Sequence, residues 1–225
     1  MPPEMKSEDR EQEVGIPISG RSLSGTLGLP PHASGIVLFA HGSGSGRLSP
    51  RNRFVAQSLR VAGLGTLLID LLGEDEADDR RKVFDIPLLA KRLLAAESWL
   101  EHEPETRELR LGYFGASTGA AAALVAAACR PERAGAVVSR GGRPDLATAD
   151  LPDVTAPTLL IVGGLDTDVL KLNRQALTML RCTKQLVVVP GATHLFPEPG
   201  TLEEVTQLAQ QWFLRYLSCD DPPAV

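Results

Sequence analysis

Short apolar runs alternate along this chain with longer stretches in which apolar residues recur three and four positions apart. The runs at 35–40, 66–70, 110–114, 136–139, 158–162 and 185–189 are rich in Val, Ile and Leu, as strands covered on both faces are. The segments 50–62, 86–101, 118–129, 169–181 and 202–217 carry helical spacing. Two further runs, 14–18 and 23–29, joined by Ser19-Gly20-Arg21-Ser22, predict an opening hairpin. Strands alternating with helices predict an α/β fold: a mostly parallel eight-stranded sheet with helices on both faces.

No repeat or composition break divides the chain, so one domain is expected over 13–218, with a flexible N-terminus at 1–12 and a flexible tail at 219–225. Trp99, Trp212 and Phe213 read as core anchors. The stretch Glu74-Asp75-Glu76-Ala77-Asp78-Asp79 reads as a solvated acidic loop. Too few residues lie between the runs at 136–139 and 158–162 to form a lid domain, so loops alone should cover any site.

Composition narrows the partners. With 43% hydrophobic and 23% charged residues and a net charge of -5, the chain is an ordinary globular protein without the basic surface of a nucleic-acid binder. The N-terminus is polar rather than a signal sequence, and no apolar run reaches the ~18 residues that span a bilayer. Cys129, Cys182 and Cys219 show neither metal-ligand nor C-x-x-C spacing, and an odd count suits a reducing compartment. The expectation is a cytoplasmic protein acting on a small molecule, with no nucleic acid, membrane, metal or organic cofactor. The oligomeric state is open, a homodimer included.

The candidate chemistry centres on Gly115-Ala116-Ser117-Thr118-Gly119. It follows the apolar run at 110–114 and precedes an alanine-rich helical stretch, so a serine sits at a strand-to-helix turn. That is the setting of a G-x-S-x-G nucleophile elbow, although five residues alone also fit a structural turn. A serine hydroxyl needs a base, and the base needs a group that fixes its tautomer. Both candidates lie downstream at strand ends: Asp166 in Gly163-Gly164-Leu165-Asp166, and His194 in Pro190-Gly191-Ala192-Thr193-His194. Active sites of parallel sheets form at such ends, and the order Ser117, Asp166, His194 is the nucleophile, acid, base order of this architecture. Taken singly, the acid loop also fits a turn and the histidine a structural residue. Asp168 is the rival acid but reads as the N-cap of the helix at 169–181, His41 is the rival base, and His32 and His102 read as surface residues.

After the first parallel strand comes His41-Gly42-Ser43-Gly44-Ser45-Gly46, small enough for backbone to approach a substrate. The amides of Ser43 and Thr118 are the candidate oxyanion hole, His41 organises the loop, and His41, Gly42 and Arg140 are candidate substrate contacts. A phosphate-gripping glycine loop is the alternative, but no Gly-Lys-Ser/Thr follows.

These runs, with Ser49-Pro50-Arg51-Asn52-Arg53 and the Leu195-Phe196 that follows His194, resemble the dienelactone hydrolase-like branch of the α/β-hydrolases over most of residues 14–217. The resemblance implies the α/β-hydrolase fold without a lid, and hydrolysis of an ester or lactone without a cofactor. Relatives of this kind occur fused to a phosphoribosyltransferase domain, which this chain does not contain. Dienelactone hydrolases proper use a cysteine nucleophile, and Ser117 stands there instead, which favours a serine esterase working through an acyl-enzyme. An acyltransferase on the same triad and a non-enzymatic binding protein are the alternatives. Arg47, Arg51, Arg53, Arg140 and Arg143 cluster near predicted strand ends, where they either grip a carboxylate-bearing substrate or pair with Asp70, Asp145 and the acidic loop.

Overall fold

The computed structural model describes residues 10–218. Eight strands form one sheet in the order β1-β2-β4-β3-β5-β6-β7-β8. The opening hairpin is β1 (Arg10–Ile18) and β2 (Arg21–Leu29), and β2 pairs antiparallel with β4 (Gly65–Ile69). The remaining pairings, through β3 (Ile36–Ala40), β5 (Leu111–Ala116), β6 (Ala134–Arg140), β7 (Thr158–Gly163) and β8 (Lys184–Val189), are parallel. This is the mostly parallel α/β sheet that the alternating pattern predicts, in the α/β-hydrolase arrangement that the resemblance implies.

The N-terminal expectation needs correction. Residues 10–12 belong to β1, where they pair with Leu27–Leu29 instead of forming part of a flexible terminus. Among the side chains described on this edge strand Ile16 is the only fully buried one, and apolar alternation fades at 10–13 while backbone pairing continues. Residues 1–9 and the expected tail at 219–225, Cys219 included, lie outside the described residues.

Helices α1 (Pro50–Val61) and α6 (Thr201–Leu217) cover one face of the sheet. Val55, Ala56 and Leu59 of α1 and Val205, Ala209, Trp212 and Phe213 of α6 pack there on Val37, Phe39, Phe114 and Val138. The other face carries α3 (Ile86–His102), α4 (Thr118–Cys129) and α5 (Thr167–Met179), packed on Leu38, Leu67, Tyr113, Val137 and Leu160. Within α4, Ala120, Ala121, Ala122 and Ala123 are completely buried, because methyl side chains let this helix lie close against β5 and α3. The acidic stretch is followed by a short helix, α2 (Arg80–Val83), capped by Asp79.

The connection from β6 to β7 holds only two 3-10 turns, Pro144–Ala147 and Leu151–Asp153, so this connection forms no lid domain. Among the described residues no helix is long and apolar enough to cross a membrane. The parallel strands all end at the same edge, where the candidate residues lie.

Candidate active site

Ser117 is placed by the strand-to-helix turn between β5 and α4. It adopts φ 50 and ψ -121, a left-handed conformation that a non-glycine residue holds only when its surroundings enforce it. Those surroundings are backbone: its amide meets the Arg140 carbonyl at 3.4 Å, and its carbonyl accepts from the Ala120 and Arg143 amides at 3.1 Å each. Gly119 is obligatory for the turn, since a Cβ there would lie 2.2 Å from the Ala40 carbonyl oxygen and 2.4 Å from that of His41. The turn is thereby wedged between the ends of β3 and β6, and the Ser117 side chain makes no cap hydrogen bond to α4.

Asp166 and His194 meet although 28 residues separate them: His194 Nδ1 lies 2.6 Å from Asp166 Oδ2. A carboxylate accepts, so Nδ1 carries the hydrogen and Nε2 is left as the basic nitrogen. A Cβ on Gly141 would sit 3.5 Å from the Nδ1 and Cε1 atoms of His194, which places the ring against the residue that follows Arg140, whose carbonyl meets the Ser117 amide. The loop carrying His194 is pinned by Glu198, whose carboxylate accepts from the Thr193 amide at 3.1 Å and from its hydroxyl at 2.6 Å. Asn173, fully buried on α5, reaches the Gly142 carbonyl at 3.0 Å. Neither support was visible in the sequence, since each acts on a partner outside its own element or at an irregular turn.

The expected capping role of Asp168 does not hold. Helix α5 begins at Thr167, so Asp166 occupies the cap position and Asp168 lies in the first turn. The Asp166 side chain makes no bond to the helix because its carboxylate is engaged by His194. His32 and His102 are both exposed, as expected.

The glycine-rich loop after β3 folds against the elbow so closely that a Cβ on Gly42 would lie 2.8 Å from the Ser117 Cβ. Among the described residues the amides of Ser43 and Thr118 donate to no protein acceptor, and both residues line an open cavity of about 620 Å³. His41 also lines it, but its ring is occupied: Nδ1 donates to the Gly42 carbonyl at 3.0 Å, and Nε2 accepts the Leu71 amide at 2.9 Å. Burial pushes this ring below its ordinary pKa, in keeping with a neutral, structural imidazole. It offers a substrate no free nitrogen.

The sequence profile of the dienelactone hydrolase family matches residues 31–218. The chain belongs to the dienelactone hydrolase family. A dienelactone hydrolase from Anabaena variabilis, known from its crystal structure, is 58% identical to this family member with a TM-score of 0.90, over 93% of this chain and 99% of that one. A Mycobacterium tuberculosis protein named "Putative phosphoribosyl transferase" is 55% identical over 213 residues, 95% of this chain but 48% of its own length. The chain thus spans about half the length of the curated relatives it matches. Est1E from Butyrivibrio proteoclasticus, solved with ferulic acid bound, shares the fold at a TM-score of 0.80 and 17% identity.

The acidic stretch of this family member is more than a solvated loop. Glu76 is 4% exposed. Arg92 grips it at 2.7 and 2.8 Å, Lys82 at 2.9 Å and Arg21 at 3.4 Å. It thereby anchors a wall of the cavity that includes Gly73, Glu74, Ala77 and Asp78. Hydrogen bonds from Arg92, working against burial, hold the Glu76 carboxyl far below its ordinary value of 4.5. A depressed folded pKa stabilises the fold above the unfolded value and loses that effect as pH falls below it. Glu76→Gln is therefore expected to cost about 3 kcal/mol at pH 7 by leaving buried Arg92 without its carboxylate. In urea titrations the gap to wild type should narrow steadily below pH 4.5.

Proposed function

We propose that this chain is a serine hydrolase that cleaves a carboxylic ester or lactone of a small molecule through an acyl-enzyme. The observation that carries this reading is the 2.6 Å contact between His194 Nδ1 and Asp166 Oδ2 beside the positive-φ turn that presents Ser117. In this mechanism Ser117 Oγ attacks the carbonyl carbon while His194 Nε2 takes its proton. Asp166 holds the imidazole and stabilises the positive charge it acquires.

The oxyanion that forms receives the Ser43 and Thr118 amides, donors that need no reorganisation at the moment of reaction. Each such donor is worth about 3–4 kcal/mol in the transition state. His194 then returns the proton to the leaving oxygen, and a water activated by the same imidazole releases the acid. An open cavity and a half-exposed His194 leave that water a direct path, which favours hydrolysis over acyl transfer to another acceptor.

A fluorophosphonate probe tests the reading. One equivalent should react with wild type and none with Ser117→Ala, as read by intact-protein mass spectrometry. Labelling elsewhere, or no labelling, would overturn it, and acylation of an added alcohol faster than hydrolysis would reassign the site to acyl transfer.

A further inference from the structure

The arginines near the strand ends divide into two groups. Arg47 meets Asp70 at 3.1 Å and Glu13 at 2.8 Å, Arg143 meets Asp145 at 2.7 Å, and Arg60 pairs with Glu11. Arg140 and Arg51 have no ion pair among the described residues. Arg140 is the last residue of β6, in register with Ala116 beside the nucleophile position. The alternation of the pleat puts it on the face of Ala136 and Val138, beneath α1 and α6. There it is 7% exposed, and its Nε and Nη1 are buried with no hydrogen-bond partner among the described residues.

Arg51, in the first turn of α1, also buries an unpartnered Nε. That turn contains no acidic residue, and its cap, Ser49, makes no side-chain hydrogen bond to it. Burial first, and then the like charge of Arg51, push Arg140 down to about 10, so its guanidinium remains charged near neutral pH. A buried guanidinium without an ion pair that also feels the charge of a second one is costly to keep, and this chain supplies carboxylates to its buried Arg60 and Arg92. Arg51 and the α1 cap line the same cavity as Ser43 and Thr118, and Arg140 is not itself part of that lining, so an anion held at Arg51 would belong to a molecule placed for reaction at Ser117.

We propose that Arg140, Arg51 and the first turn of α1 form a phosphate subsite, and that the substrate is an ester or lactone that itself bears a phosphate group. The inference rests on the serine-hydrolase reading above and adds the substrate class. Charge counting selects phosphate over carboxylate. Two guanidinium groups and the roughly half-charge of a helix N-terminus exceed what one carboxylate neutralises, whereas a phosphate monoester carries about -1.5 to -2. Each guanidinium can also grip phosphate oxygens with two parallel hydrogen bonds. The phosphate is not attacked. It anchors the molecule so that the carbonyl lies against Ser117 and the two amides.

The test uses three 4-nitrophenyl esters of equal acyl length ending in a methyl, a carboxylate or a phosphate group. Wild type should favour the phosphate ester over the methyl ester by about 10- to 100-fold in kcat/KM, mostly through KM. That ratio should fall towards one in Arg140→Gln and, separately, in Arg51→Gln, which keeps the inference testable if the buried substitution does not fold. Inorganic phosphate should inhibit wild type competitively, and both variants less. The inference is overturned by an equal rate on phosphate and methyl esters, by a preference for the carboxylate, by inhibition by free phosphate without any ester preference, or by equal losses on every ester in the variants. Fluorophosphonate labelling separates the two readings: a labelled enzyme without phosphate preference refutes only the subsite, while an unlabelled one refutes the hydrolase itself.

Discussion

Ser117→Ala is expected to lower kcat on a short 4-nitrophenyl ester by about 10⁶-fold, the scale on which an activated serine acts together with its base. The loss is large because no other group can form the covalent bond. Alanine leaves Asp166–His194 and the two amides in place, and these alone hold only a residual acceleration over water. Folding should be unaffected to within about 1 kcal/mol, since the Ser117 hydroxyl makes no cap hydrogen bond to α4. Because Ser117 sits at positive φ, alanine has to hold the same conformation, and the backbone bonds to Arg140, Ala120 and Arg143 are what enforce it. Circular dichroism and a thermal melt beside the rate measurement distinguish lost chemistry from a collapsed turn. Retained activity would remove Ser117 from the mechanism.

Asp166→Asn carries the second-largest expected effect, about 10⁴-fold in kcat. The substitution keeps the size of the side chain while replacing a carboxylate oxygen by either a carbonyl or an NH₂. If the NH₂ turns towards His194 Nδ1, the imidazole must accept there, and its hydrogen moves to Nε2, where the base should be. With either orientation the imidazolium formed during attack loses its opposing charge. Since Asp166 spends its carboxylate on His194 and none of it on capping α5, the variant should melt close to wild type. A loss of only a few-fold would show that another group orients the imidazole.

Much of this was legible in the chain. The apolar runs locate the buried strands because both faces of a parallel sheet are covered, and the helices follow from spacing that repeats on the helical turn. The candidate triad was legible because each member follows an apolar run, and in a parallel sheet every such run ends at one edge. Where a pattern is weak, the sequence misleads. Residues 10–12 pair as a strand although Arg-Glu-Gln carries no apolar signal, since on an edge strand the backbone can hydrogen-bond while side chains such as those of Glu11, Gln12 and Glu13 are exposed. The start of α5 was misplaced by two residues because Asp168 has the chemistry of a cap, while Asp166, which holds the position, is drawn away by a histidine from the next strand.

Spacing and chain order are enough to nominate Ser117, Asp166 and His194, because turns at strand ends are local structure and local structure is written in neighbouring residues. Charge pairing is not local. That Glu76 is buried among Arg92, Lys82 and Arg21, and that Arg47 and Arg143 find carboxylates while Arg140 and Arg51 find none among the described residues, depends on which strands lie side by side and which face each side chain takes. Both are decided only when the sheet closes and the helices pack, which is why a buried guanidinium without a carboxylate near the Ser117 turn is a property of the tertiary structure alone.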